Sequence, residues 1–218
     1  MPADLRALCD EARDLDQSDP APLRDRFEYP LADSGGQAAY FAGNSLGLLP
    51  SSARAAVDMV MSGWSSRAVE GHFAGEGSWS DLVESLSAPT ARLLGALPHE
   101  VVAANTLTVN MHLLLLAFYR PVGTRTLVLT ERDPFPSDGY AVVNHPQLHG
   151  LTAEAVVYVD ADEHANLSTA AIVEAIAQHG EALSCVLLPG IRFRTGQLLD
   201  IATITAAAHR VGDRKSVV

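Results

Sequence analysis

The tightest constraint on how this chain can fold is an alternation that fills its second half. Short, almost wholly apolar runs at residues 101–104, 126–130, 154–159 and 183–188 are separated by helix-period segments at 108–119, 168–179 and 200–211. A four- to six-residue strand with apolar side chains in both directions has to be covered on both faces, and helical crossovers provide that cover. The pattern therefore predicts an α/β fold, a mainly parallel sheet with helices on both faces. In such sheets ligands bind beyond the carboxyl ends of the strands, which directs attention to the loops after Ala104, Thr130 and Leu188.

The first half reads differently. Leu5, Leu8, Cys9, Ala12 and Leu15 follow a helical period over residues 3–16, and the Pro20/Pro22 pair ends that leading helix. Residues 39–42 read as a brief strand running into the turn Gly43-Asn44-Ser45-Leu46-Gly47, whose glycines permit backbone conformations closed to other residues. Pro50 opens a helix toward Trp64, residues 70–78 form a loop, and a further helix over 79–94 buries Leu82, Leu86, Leu93 and Leu94, with a kink or restart at Pro89. Three parts are expected: an N-terminal segment over 1–50, a large domain over 51–212 and a tail over 213–218.

Composition narrows the function. A 218-residue chain that is 48% hydrophobic can bury a core, and its formal net charge of -11, with no basic cluster, argues against nucleic acid or an anionic membrane as partner. Nothing approaches the roughly 20 apolar residues of a membrane span. Two cysteines, Cys9 and Cys185, make no disulfide framework and fit a reducing, cytoplasmic setting. No metal site is expected.

Five segments carry candidate chemistry. Asn105-Thr106-Leu107-Thr108-Val109-Asn110 joins a strand end to a helix start, where unpaired N–H groups, the helix dipole and a threonine hydroxyl suit a phosphate, although a plain N-cap fits the same residues. Phe135-Pro136-Ser137-Asp138 follows the next strand and offers an aromatic face for a planar ring, or else simply starts a helix. Ser45, in the glycine-flanked turn, and His72, after Gly71, could donate hydrogen bonds to a substrate, although by themselves they read as a turn residue and a surface histidine. Gly190 to Gln197, ending Arg194-Thr195-Gly196-Gln197, follows the last apolar run, where a plain strand-to-helix loop fits equally.

Taken in order, Tyr40 to Gly47, Gly71-His72, Asn105 to His112, Phe135 to Asp138 with Tyr140-Ala141, and Thr195-Gly196-Gln197 resemble the kynureninase family across residues 23–212. That family belongs to the fold-type-I enzymes that use pyridoxal phosphate. The resemblance implies a transferase-like large domain and hydrolysis of kynurenine, or 3-hydroxykynurenine, to an anthranilate and alanine in tryptophan catabolism. Pyridoxal phosphate there acts as an electron sink while the bond between Cβ and the γ-carbonyl breaks. It implies that Leu107 and Thr108 bind the cofactor phosphate and that Phe135, Pro136, Ser137 and Asp138 pack along its ring. Ser45 and His72 would lie near the substrate, at the interface of a homodimer.

Two departures stand beside the resemblance. Pro189 replaces a hydroxyl residue that in some relatives also contacts the phosphate, and proline has neither hydroxyl nor N–H. The family's Schiff-base lysine, and the aspartate that pairs with the pyridine nitrogen, come after the stretch that matches here. The single lysine, Lys215, lies in Asp213-Arg214-Lys215-Ser216-Val217-Val218, whose back-translation matches a common sequencing adapter, so the tail is expected to be non-native and the fragment inactive alone. Removing the rest of a large domain is also expected to leave apolar surface uncovered around residues 186–188 and the helix over 108–119. Other readings are a cysteine desulfurase or aminotransferase, which share the cofactor loops, or a non-catalytic fragment. Ser45, His72 and the run from Asn105 to His112 favour the kynureninase family.

Overall fold

The computed structural model describes residues 3–18, 23–75 and 78–212, so the tail with Lys215 lies outside the described residues. Two compact units divide between Val101 and Val102.

The second unit is a layered α/β fold. Helix α4 (Leu107–Phe118) leads into strand β3 (Leu127–Glu131), α5 (Pro136–Leu148), β4 (Val156–Val159), α6 (Thr169–His179), β5 (Leu183–Val186) and α7 (Ile201–Arg210). The strands stand in the order β4-β3-β5 and all run parallel, with Leu129 opposite Val157 on one side and Val186 on the other. Side chains alternate across the sheet. Val128, Val156 and Cys185 pack on Met111 and Leu115 of α4, on Tyr119 that caps its end, and on Ala141 and Val142 of α5. Leu129, Leu183 and Val186 pack on Ile172 and Ile176 of α6 and on Ile204 and Ala207 of α7. Both faces are covered, as the apolar runs require.

Local signals place the helix starts. Ser168 caps α6 by accepting from the Ala171 N–H, and Asp200 caps α7 by accepting from both the N–H and the hydroxyl of Thr203. Those bonds, the backbone one foremost, hold the Asp200 carboxyl below its ordinary range.

The first unit contains α1 (Ala3–Ser18), a two-residue antiparallel pair of β1 (Phe27–Glu28) and β2 (Leu49–Pro50), α2 (Ala53–Arg67), a 3-10 turn over Ala68–His72 and α3 (Leu82–Leu94). Its large apolar side chains are mostly exposed, among them Phe41, Trp64 and Leu93.

Several expectations need correction. Residues 39–42 and 101–104 are apolar enough for strands but form none, because a strand exists only where a neighbour completes its ladder and neither segment has one among the described residues. Pro89 sits inside an unbroken α3, and that helix begins at Leu82 rather than Trp79. Val186, Leu187 and Leu188 are buried between the helical layers. The helix named with them does leave apolar surface uncovered, at Leu107, Leu113 and Leu116 of α4.

Candidate functional site

The carboxyl ends of the three parallel strands are tied together by a side-chain network. Glu131 closes β3, and its carboxylate accepts from Arg192 Nε at 2.6 Å. Both side chains are almost completely buried, at 2% and 3% exposure. Arg192 also donates through Nη1 to the Ala165 carbonyl in the loop after β4. Ala165 has a φ of 60°, a left-handed conformation that an L-residue adopts at a cost, so this loop is held rather than merely resting. Gln197 completes the tie: its amide donates to the Leu167 carbonyl at 2.7 Å while its oxygen accepts from the Leu167 N–H at 2.8 Å.

Next to Arg192, the ring of Phe193 meets that of Phe135 edge to face, with centroids 5.2 Å apart and planes at 85°. The loop after β3 and the loop after β5 are thereby in contact. Phe135 keeps about half its surface exposed. It directly precedes α5, whose first turn is Pro136, Ser137 and Asp138, with the Asp138 N–H donating to the Phe135 carbonyl at 2.9 Å and the Ser137 hydroxyl donating to Asp138 Oδ1 at 3.1 Å. Proline at the first helical position and an acid in the first turn both suit a helix start, so the structural alternative weighed for this segment is realised. That does not remove Phe135 from the strand edge.

Helix α4 brings the other candidates to that edge. Its C-terminal end is fixed at the opposite edge, since the Tyr119 hydroxyl donates to the Thr126 carbonyl just before β3 begins. The ring of Tyr119 also meets His149 at the end of α5. The two helices run side by side, and both start where the strands end. The capping role falls to Thr106, which accepts from the Val109 N–H at 3.4 Å. Thr108 is therefore released from capping: it is half-buried in the first turn, where N–H groups have no carbonyl four residues back to bond. An exposed helix start with a spare hydroxyl can hold an anion.

Ser45 and His72 lie in the first unit. Ser45 is exposed in a turn closed by its own N–H to the Ala42 carbonyl at 2.9 Å and by the Tyr40 hydroxyl to the Leu46 carbonyl at 2.6 Å. Neither Gly43 nor Gly47 takes a positive φ, so this turn does not need glycine. His72 ends the 3-10 turn, exposed, with its ring edge-on to Trp79 at 5.1 Å. Its place depends on Gly71. A Cβ there would come within 2.8 Å of the Trp79 ring, closer than such contacts tolerate. Gly71→Ala should therefore displace Trp79 from His72 at a cost of about 1–3 kcal/mol. The shift is read as a change in Trp79 emission in a Trp64→Phe background, and an unchanged spectrum with an unchanged melt would contradict the contact.

Glu131 is not among the residues singled out from sequence, and Arg192 and Phe193 enter there only as members of the run from Gly190 to Gln197. The available signal was a glutamate closing an otherwise apolar strand, because a charge in that position must find a partner.

No protein-family model matches the chain. Among curated proteins it is similar to a kynureninase of Stenotrophomonas maltophilia, 48% identical over 203 residues, covering 92% of this chain and 48% of that protein. A kynureninase of Xanthomonas euvesicatoria pv. vesicatoria is 49% identical over 201 residues, covering 91% and 47%, and one of Salinispora tropica is 44% identical over 205 residues, covering 92% and 48%. The chain spans about half the length of the curated relatives it matches. Among solved structures, a C-DES mutant with glycine covalently linked to its PLP cofactor superposes with a TM-score of 0.61 at 17% identity, over 78% of this chain and 43% of that one. The apo cysteine desulfurase from Thermococcus onnurineus NA1 gives 0.54 at 14%, over 73% and 40%. At these identities the likeness is one of fold.

Proposed function

Because this chain is a homologue of the kynureninases spanning about half their length, we propose that it forms the phosphate-holding part of a pyridoxal-phosphate-dependent enzyme that hydrolyses kynurenine or its 3-hydroxy form. The observation that carries the proposal is the pair of helix starts at the strand ends, one with Thr108 free of capping, the other preceded by the half-exposed ring of Phe135.

These residues fit the cofactor. A phosphate wants N–H and O–H donors at the positive end of a helix, which the first turn of α4 offers through Leu107, Thr108 and the Thr108 hydroxyl. A pyridine ring wants a flat apolar neighbour, which Phe135 offers, with Pro136, Ser137 and Asp138 shaping the loop beside it. When bound, the cofactor supplies the electron sink that allows the bond between Cβ and the γ-carbonyl of the substrate to break. The protein's share is to anchor the phosphate, fix the ring's tilt and keep the strand-end loops from shifting, and the Glu131–Arg192 tie serves the last of these. Ser45 and His72 are assigned to the substrate as hydrogen-bonding groups, in the cytoplasm and across the interface of a homodimer. The lysine that holds the cofactor covalently is assigned to a part of the enzyme outside the described residues, and Lys215 is not given that role.

Two substitutions in the complete enzyme test the division of labour. Thr108→Ala removes one hydrogen bond to a charged group, worth about 1.5–3 kcal/mol, and should weaken pyridoxal phosphate binding about 10- to 150-fold. His72→Ala should leave cofactor affinity within about twofold and lower kcat/KM for kynurenine. If His72→Ala instead loses cofactor while the remaining holoenzyme turns over normally, His72 is structural and the substrate assignment fails.

A further inference from the structure

Between α4 and α5 two histidine rings face each other, and the cofactor reading gives them nothing to do. His112 Nδ1 and His145 Nε2 are 2.9 Å apart, with ring centroids at 5.1 Å and planes 35° apart. His145 is 1% exposed and His112 is half-buried. The far nitrogen of His145, Nδ1, is buried with no hydrogen-bond partner.

That orphan fixes the proton positions. If His112 donated to His145, the His145 proton would sit on Nδ1, an N–H buried without an acceptor. If His145 donates from Nε2 to a bare Nδ1 on His112, the orphan is only a lone pair, the cheaper of the two to leave unpaired. Both rings are then neutral. Among the described residues, the groups packed in this cluster are apolar or neutral. The strands turn Val128, Val156, Tyr158 and Cys185 toward this cluster. From the end of α4 comes Tyr119, neutral because burial foremost, and then Cys185, pushes its pKa up to about 12. From α5 comes His149, another base.

We propose that the His112–His145 pair is a proton-sensitive latch, which holds α4 against α5 while both rings are neutral and lets go when the pair takes up a proton on the accepting nitrogen of their shared hydrogen bond. With that proton in place two N–H groups would point at each other, and the bond could re-form only by reversing, which strands an N–H on His145. Burial first, and then the neighbouring His112 and His149, lower the pKa of His145, in keeping with this arrangement. The sign follows. A histidine depressed in the folded state and ordinary, near 6.5, in the unfolded chain contributes stability that is whole above about pH 6.5 and is lost as pH falls toward the depressed value. Both helices begin at the strand edge, so the proposal that acid also releases the cofactor rests on the function proposed above. The latch itself does not.

The test compares the chain with a His112→Leu/His145→Leu variant, which stays close to the histidine volume and removes both imidazoles. Between pH 7.5 and pH 5.5 the melting temperature of the native chain should fall by at least about 5 °C more than that of the variant. Equal falls would overturn the latch. Should the variant not fold, isotope-labelled histidine in the native chain decides the matter by NMR. One histidine should still be neutral, protonated on Nε2, at the pH where a free histidine is half charged, and a His145 that titrates like the free side chain refutes the proposal. If the latch behaves as described while the complete enzyme keeps its pyridoxal phosphate at pH 5.5, the latch stands and the placement of the cofactor between these helix starts fails.

Discussion

Arg192→Leu is expected to lower the stability of the second unit by about 3–5 kcal/mol, because it leaves the Glu131 carboxylate in a site with 2% exposure and no counter-charge. Against a total of about 5–15 kcal/mol for an ordinary domain this is enough to unfold much of the population at moderate urea. The loss is not the worth of the ion pair, since forming the pair already cost both groups their hydration. A double variant, Arg192→Leu with Glu131→Leu, should therefore recover most of the stability, as apolar replacements of buried pairs commonly do. It should not recover the geometry. The Ala165 carbonyl would still lack its donor, and the backbone next to Phe193 would have lost its anchor, so the contact of Phe193 with Phe135 should loosen. Urea unfolding of the three chains checks this, and a single Arg192→Leu variant within 1 kcal/mol of the parent would contradict it.

Much of the fold was legible because its determinants are local or periodic. Each strand of the parallel sheet is a short apolar run, since burial on both faces leaves no polar alternation to disguise it. The caps at Ser168 and Asp200 announced α6 and α7 within a residue or two. The two false strands, at residues 39–42 and 101–104, had the composition of strands without a partner, and a partner is a non-local fact that composition does not carry. Helix α5 was readable only as the bland alternative for Pro136-Ser137-Asp138, since Pro146 lies inside it and weakens its pattern.

The candidate site divides in the same way. Thr108 and Phe135 follow from where helix starts and strand ends must lie in such a sheet. Glu131 and Arg192 are 61 residues apart, and His112 and His145 are 33 apart, so no window of sequence contains either pair. Ser45 and His72 took their place near the substrate from family resemblance alone, and in the structure they sit in the first unit, on an exposed turn and at the end of a 3-10 turn.

The most direct test of the account is activity after completion. Residues 1–212 joined to the other half of the Stenotrophomonas maltophilia relative, to which this chain is 48% identical, should assemble the proposed phosphate site and a cofactor-holding lysine in one enzyme. The 218-residue chain alone should show no hydrolysis of kynurenine, and no absorbance band that borohydride removes and that maps to Lys215. The joined enzyme, loaded with pyridoxal phosphate, should release anthranilate and alanine in equal amounts. Borohydride-sensitive attachment of the cofactor at Lys215, or a folded and loaded joined enzyme that leaves kynurenine intact while desulfurating cysteine or transaminating an amino acid, would contradict the account.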